Sequence, residues 1–243
     1  MSVCDACSIP GSVLDAGAAG DDEAGLRKAR YAALREHAAD HRLPWIATAH
    51  TRDDQVETIL FRLARGTGRR GLSGISPVRN GLLRPLLDAS RQELRDFLQR
   101  RQLAYCEDSS NDSDRYARNR IRHTVVPAFR EALGEDALDR VPAMARRWRL
   151  DEEYLGSEVE RFTIWCERGP KGELDLAALD QCPLPLRGRI LRRWFERRDG
   201  RPTLGVAEIE ILEGLVIAAP HAQIDLGTLH VARAPGRLTA SRR

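Results

Sequence analysis

Apolar runs long enough to span a bilayer are missing: no stretch of the 243 residues approaches the ~20 apolar positions that a membrane helix needs. A helical membrane protein is thereby excluded. The start, Met1-Ser2-Val3-Cys4-Asp5, carries neither the basic nor the apolar region of a secretory signal, so a cytoplasmic location is expected. Cysteine is sparse: Cys4, Cys7, Cys106, Cys166 and Cys182 are odd in number and scattered, which excludes a disulfide framework and implies reduced thiols. A surplus of one charge is also lacking, since 39 basic residues face 36 acidic ones for a net +3, and no global field demands a nucleic-acid partner. Lysine is nearly absent, occurring only at Lys28 and Lys171. The basic residues are therefore almost all arginine, the better fork for phosphate and for stacking on bases, although genome composition would produce the same skew.

What remains, 42% hydrophobic and 31% charged residues, is ordinary for a folded protein and too apolar for disorder. At ~150 residues per domain the length fits one large domain or two small ones. Ile9 and Val13-Leu14 suggest an edge strand. Residues 22–41 then read as a helix, with Leu26, Ala29, Ala33 and Leu34 at helical spacing. Residues 45–49, Trp-Ile-Ala-Thr-Ala, are expected to form a strand buried on both faces of a parallel sheet, with His50 at its carboxyl end. Thr51 caps the next helix, Asp53 and Asp54 lie in its first turn, Val56, Ile59, Leu60 and Leu63 form its apolar stripe, and Gly66 stops it. Helix, buried strand and helix is the grammar of a doubly wound sheet.

Residues 82–85 read as extended, and Ser90 with Glu93 forms a capping box for a helix to about Arg101. The chain is then mostly helical to about Arg168. A small mixed region follows, with helices near 183–199 and 205–218 and a terminal hairpin over 222–231 around Gly227. A composition shift at Val125–Pro127 sets the expected boundary between domains 1–125 and 126–243.

Ligands of open α/β sheets bind at the carboxyl ends of the strands, where His50, Asp54 and Glu57 would converge. Such a cluster could hold Mg²⁺, orient an amine or act as a base. On spacing alone the plainer reading is that Asp53 and Asp54 complement the helix dipole and Glu57 is a solvated surface residue. The segment 65–74, Arg-Gly-Thr-Gly-Arg-Arg-Gly-Leu-Ser-Gly, resembles a phosphate cradle but follows a helix rather than a strand, so a flexible turn is the plainer reading. Arg115, Arg118 and Arg122 share a helical face suited to polyphosphate or a nucleic-acid backbone. Residues 187–201 hold seven arginines against Glu196 and Asp199, interleaved with Trp194 and Phe195. That pattern means either RNA contact or an apolar core face. Cys4-x-x-Cys7 has no second ligand pair at zinc spacing, and His37, His41, His123, His221 and His230 show no partner pattern.

Taken together, residues 49–58 (Ala-His-Thr-Arg-Asp-Asp-Gln-Val-Glu-Thr), Arg27-Lys28-Ala29-Arg30-Tyr31, Gly71-Leu72-Ser73-Gly74-Ile75, Arg84-Pro85-Leu86-Leu87, Ser90-Arg91, Asp108-Ser109-Ser110-Asn111 and Arg118-Asn119-Arg120-Ile121-Arg122 resemble the bacterial tRNA(Ile)-lysidine synthases. The blocks cover roughly residues 3–125, and a looser resemblance to the family's substrate-binding domain continues to the end. The resemblance implies an ATP-pyrophosphatase of the adenine nucleotide alpha hydrolase-like α/β fold. Its doubly wound parallel sheet would be incomplete here and followed by a mostly helical small domain. It also implies adenylation at C2 of the wobble cytidine of an isoleucine tRNA and attack by the side-chain amine of free L-lysine.

On that resemblance Asp54 and Glu57 are catalytic and engage lysine or metal, with Asp54 the ligand for Mg²⁺. His50, Arg27 and Arg122 lie near nucleotide and pyrophosphate. Arg118, Arg120, Arg192, Arg193 and Arg197 are candidates for tRNA contact. The implied partners are tRNA(Ile), L-lysine and ATP, with a homodimer among the expected assemblies. The family's phosphate loop, Ser-Gly-Gly-x-Asp-Ser, does not occur in these residues. Its absence implies a displaced start, or a remnant that neither holds ATP nor catalyses alone. A tRNA thiolase of the same fold and a non-catalytic tRNA-binding module are the alternatives.

Overall fold

A computed structural model describes residues 4, 7–17, 23–105, 117–169, 172–200 and 204–242. They fall into two compact units, Met1–Arg149 and Leu150–Arg243. The first compact unit extends past Val125–Pro127. Val126 continues the turn of helix that carries Arg122, Leu138 and Ala145 are buried, and Arg149 donates through Nη2 to the carbonyls of Ser73 (2.9 Å) and Ile75 (2.8 Å).

In the first unit, helix α1 (Glu23–Asp40) buries Tyr31 and Ala38, while Leu26 of the expected stripe is half exposed. Strand β1 (Ile46–Ala47) is much shorter than the expected five-residue strand. It pairs in parallel with β3 (Leu82–Leu83), which pairs antiparallel with β2 (Val78–Arg79), giving the order β1-β3-β2. Among the described residues β1 is therefore an edge. Trp45 is 51% exposed and Ala47 is exposed, contrary to burial on both faces. The β2–β3 hairpin turns on Asn80 and Gly81, both at positive φ (51° and 75°), as a tight hairpin requires. No strand forms at Ile9–Leu14, where Val13 is fully exposed.

Helix α2 (Arg52–Ala64) has the expected start and stop, Gly66 following at φ 67°. Val56 and Ile59 are buried, whereas Leu63 is exposed. The short helix α3 (Arg69–Leu72) precedes the hairpin, and α4 (Arg91–Arg100) follows it under the expected Ser90–Glu93 capping box. Helix α5 (Ala117–Arg120) runs through a π-helical turn (Ile121–Val125) into α6 (Val126–Leu133), and α7 (Arg140–Cys166) begins in the first unit and continues into the second.

The second unit adds β4 (Glu167–Arg168), β5 (Glu173–Asp175), α8 (Leu176–Gln181), α9 (Leu184–Asp199), α10 (Val206–Ile217), β6 (Gln223–Leu226), β7 (Leu229–Ala234) and β8 (Arg237–Arg242). The expected terminal hairpin is part of a five-stranded antiparallel sheet, order β4-β5-β8-β7-β6. Pro235-Gly236, with Gly236 at φ 72°, turns β7 into β8. The core gathers Cys166, Leu174, Ile190, Leu191, Trp194, Phe195, Leu212 and Val231, each at most 1% exposed.

Candidate active site

Chain reversal at the carboxyl end of β1 places Thr51 at the N-cap of α2. The Thr51 backbone N–H (2.7 Å) and its hydroxyl (2.9 Å) both donate to Asp54 Oδ2, and the Asp54 N–H donates back to Thr51 Oγ1. The capping box thus fixes one oxygen of Asp54 and aims the other away from the helix start. Glu57 follows three positions later on a neighbouring face.

Three arginines close on these two carboxylates. Arg91, first residue of α4, donates from Nη2 to Asp54 Oδ1 (2.7 Å) and from Nη1 to Glu57 Oε1 (2.8 Å), and its backbone N–H donates to Asp53 Oδ2 (2.7 Å). Arg118 reaches Glu57 Oε2 (3.0 Å) and Asp54 Oδ1 (3.2 Å). Arg122, one turn on, donates to Glu57 Oε1 (2.8 Å) and Oε2 (3.2 Å). Each oxygen of the two carboxylates therefore accepts two hydrogen bonds. Glu57 is 1% exposed, which corrects its reading as a solvated surface residue. A helical stripe identifies only apolar contacts, and Glu57 is buried by arginines from other elements.

Burial alone would raise the Glu57 carboxyl, but hydrogen bonds from Arg122 and Arg91 hold it below its usual range. Asp54 is likewise lowered: burial pushes it up, and the Thr51 N–H, Arg91 and Arg118 outweigh that push. Both are carboxylates at neutral pH, and the cluster retains one positive charge in excess. Arg118 and Arg122, expected to face tRNA and pyrophosphate respectively, turn inward here. Arg120 is exposed. Arg115 and Asp108–Asn111 lie outside the described residues.

His50 accepts or donates at Nδ1 to Thr48 Oγ1 (2.8 Å). Its pKa is lowered to about 4, first by burial and then by Arg27, Arg84 and Arg118, with Asp54 opposing. The imidazole is accordingly neutral at physiological pH and acts by hydrogen bonding rather than charge. Arg27 lies over the Tyr31 ring at 5.0 Å from its centroid. Asp54, Glu57, Arg91, Arg122 and Tyr105 line a cleft of about 880 Å³, and His50 is not among its lining residues.

Residues 71–75 of the glycine-rich segment have no N–H group left to cradle a phosphate. The backbone N–H groups of Gly71, Leu72, Ser73 and Gly74 donate within the segment, and that of Ile75 donates to Gln55 Oε1. Its carbonyls are held as well: Arg62 Nη1 donates to those of Gly71 and Gly74 (both 2.8 Å), and Gln55 Nε2 to that of Ile75 (3.1 Å). The segment is thus fastened to α2 by the buried Gln55 and the half-buried Arg62. Gly74 has φ 72°, and a Cβ there would stand 2.5 Å from Gln55 Oε1. Gly74→Ala is expected to cost about 2 kcal/mol or more, from left-handed backbone strain and the collision with a side chain that cannot withdraw. Urea denaturation measures it, and a cost under ~0.5 kcal/mol would show the segment free to move.

In the second unit the arginines of α9 are largely neutralised. Arg189 forms a two-pronged pair with Glu152 (2.8 Å each), Arg193 meets Glu160 (2.7 Å), and Arg197 meets Glu167 (2.9 Å) and Glu160. Glu152, Glu160 and Glu167 lie outside 187–201, so the charge balance of that segment does not contain them. Their near-heptad spacing is the signal that could have found them. Arg192 makes no hydrogen bond through its buried Nε. Trp194 (0% exposed) and Phe195 (1%) are core, which decides against stacking on RNA bases.

A PP-loop domain model matches residues 2–129, and a TilS substrate binding domain model matches residues 174–239. The chain is 39% identical over 230 residues to a tRNA(Ile)-lysidine synthase of Salinispora arenicola, covering 90% of this chain and 68% of that protein. A second, from Salinispora tropica, is 38% identical over 235 residues, covering 92% and 69%. One from Thermobifida fusca is 36% identical over 177 residues, covering 73% and 54%. The α/β PP-loop fold followed by a helical substrate-binding domain is thus the family architecture that the chain matches.

Proposed function

The chain belongs to the tRNA(Ile)-lysidine synthase family, and we propose that it is a ligase joining free L-lysine to C2 of the wobble cytidine of an isoleucine tRNA in an ATP-dependent reaction, within the cytoplasm. The observation that carries this reading is the arginine-rich cluster organised by Asp54 and Glu57 beside the carboxyl end of β1, the edge at which open α/β sheets take ligands. Activation places negative charge on the phosphoryl groups, and the guanidinium groups of Arg118 and Arg122, already held in place, stabilise it without reorganising. His50, Arg27 and Arg122 serve the nucleotide in this reading, with His50 a neutral hydrogen-bonding partner.

In the same reading the lysine ammonium takes the place of Arg91 on Asp54 and Glu57. Arg91 has the most exposed side chain of the three, at 30% against 21% for Arg118 and 23% for Arg122. Mg²⁺ does not fit Asp54 in this arrangement: both oxygens are engaged, and Arg91 and Arg118 stand where a divalent cation would approach. No step is therefore assigned to a metal there.

The test is transfer of labelled lysine to an isoleucine tRNA transcript in the presence of ATP. Label at the wobble cytidine supports the reading. tRNA binding without transfer would favour a non-catalytic tRNA-binding module. Arg120, Arg192, Arg193 and Arg197 are assigned to the tRNA backbone. Replacing Arg193 and Arg197 by Gln should lower the log–log salt slope of tRNA binding by about 0.9 or less per lost phosphate contact. An unchanged slope would leave these arginines serving Glu160 and Glu167 alone.

A further inference from the structure

Parallel pairing puts Ile46 beside Leu82 and Ala47 beside Leu83, and the Thr48 N–H continues the ladder to the Leu83 carbonyl (2.9 Å). Arg84 is the next residue of β3's run. It therefore emerges at the same carboxyl edge as Thr48 and His50. Arg84 is 8% exposed, yet no carboxylate among the described residues forms an ion pair with it. Its side chain donates from Nη1 to the Ser76 carbonyl (2.6 Å), and Nε is buried with no partner. That contrasts with Arg91, Arg118 and Arg122, which share the two carboxylates of Asp54 and Glu57 and are left one negative charge short.

A buried guanidinium without a counter-ion is costly, and a ligand that supplies the missing charge relieves that cost. The surroundings add to the deficit. Arg27, Arg84 and Arg118 all act on His50, against Asp54 alone on the acidic side, and Arg27, Arg79 and Arg118 act on Arg62. Several guanidinium groups call for more than the single charge of a carboxylate, and a polyphosphate matches them.

We propose that Arg84 is a substrate-binding residue whose counter-ion is a phosphoryl oxyanion of a polyphosphate, held at the carboxyl ends of β1 and β3. The identity of that anion, the pyrophosphate portion of ATP, rests on the function proposed above. The position of the site rests on the packing around Arg84. Ser76 holds Nη1 and so orients the guanidinium, which leaves Nη2 for the oxyanion, with Nε enclosed behind it.

The experiment is titration of the full chain with millimolar inorganic pyrophosphate, followed through the ring signals of His50 by NMR. Saturable binding is expected, with the His50 midpoint rising from about 4 as the anion offsets the neighbouring arginines. Arg84→Gln should weaken binding about ten- to a hundredfold, the loss of a charge-assisted hydrogen-bonding partner. Arg84→Lys, which keeps the charge but not the fork, should retain part of it. Arg100→Gln, an exposed change of equal charge at the far end of α4, should bind as the unaltered chain does.

Equal pyrophosphate affinity in Arg84→Gln and the unaltered chain would overturn the proposal and leave Arg84 as a clasp on Ser76. If the glutamine variant does not fold, the lysine variant decides: affinity unchanged from the unaltered chain would overturn it equally. So would an unaltered chain whose His50 ignores pyrophosphate. Intact pyrophosphate binding with no transfer of lysine to tRNA would instead count against the proposed function and spare the role of Arg84.

Discussion

Replacing Glu57 by Gln is expected to remove about 3–5 kcal/mol of folding stability, because it leaves three half-buried arginines with Asp54 as their one remaining counter-charge in the cluster. Glu57 accepts four N–H groups from Arg91, Arg118 and Arg122, and its side chain is 2% exposed. The amide is the same size, but its NH₂ would face N–H donors, so two of the four hydrogen bonds become repulsive contacts. A surface glutamate would lose within ~0.5 kcal/mol on the same change. Urea denaturation separates the two outcomes, and a small loss would return Glu57 to the solvated role read from its spacing.

The pH dependence follows with its sign. The folded state holds the Glu57 and Asp54 carboxyls below their ordinary values of 4.5 and 3.8, so the unfolded chain takes up protons first as pH falls. The stabilisation is present above those values and is lost as pH drops through the folded ones. His50 acts in the same direction at higher pH. Its folded value of about 4 lies below 6.5, so stability also declines as pH falls from 6.5 toward 4. Glu57→Gln should flatten the steep acid limb below 4.5 and leave the shallower decline above it.

Local punctuation was legible in the sequence. Thr51 and Ser90 cap the helices they were expected to cap, and Gly66 ends α2, because caps and stops depend on residues within one turn. Asn80-Gly81 and Pro235-Gly236 carry the same kind of signal and mark two hairpins that the apolar pattern alone did not suggest. Strand extent was not legible. The apolar run at 45–49 promised a buried strand, but how much of it pairs depends on which chain segments lie alongside. The convergence of His50, Asp54 and Glu57 at one edge followed from strand and helix grammar. Their partners did not, since Arg91, Arg118 and Arg122 come from 34 to 65 positions away. Arg84 carried no signal either, as a missing counter-ion is visible only after packing.

The second large effect is expected at Trp194, where the choice between RNA contact and core has a thermodynamic answer. Trp194→Ala should destabilise the protein by about 3–5 kcal/mol, as truncation of a fully buried aromatic does. The ring is 0% exposed, its Nε1–H donates to the Gly172 carbonyl (2.9 Å), and the Arg198 guanidinium lies 4.6 Å from its centroid. The substitution removes all of these contacts and opens a cavity beside Ile190, Leu191 and Phe195. Arg193→Gln and Arg197→Gln act on the flank of the same helix, where the pairs with Glu160 are more exposed, and each should cost under ~1 kcal/mol. Chemical denaturation of the three variants therefore divides α9 into an apolar face that holds the unit together and a flank of paired arginines whose effect on tRNA can be read without unfolding the protein. A Trp194→Ala variant as stable as the unaltered chain would mean that the ring is exposed in solution, and would reopen its use as a stacking platform for a base.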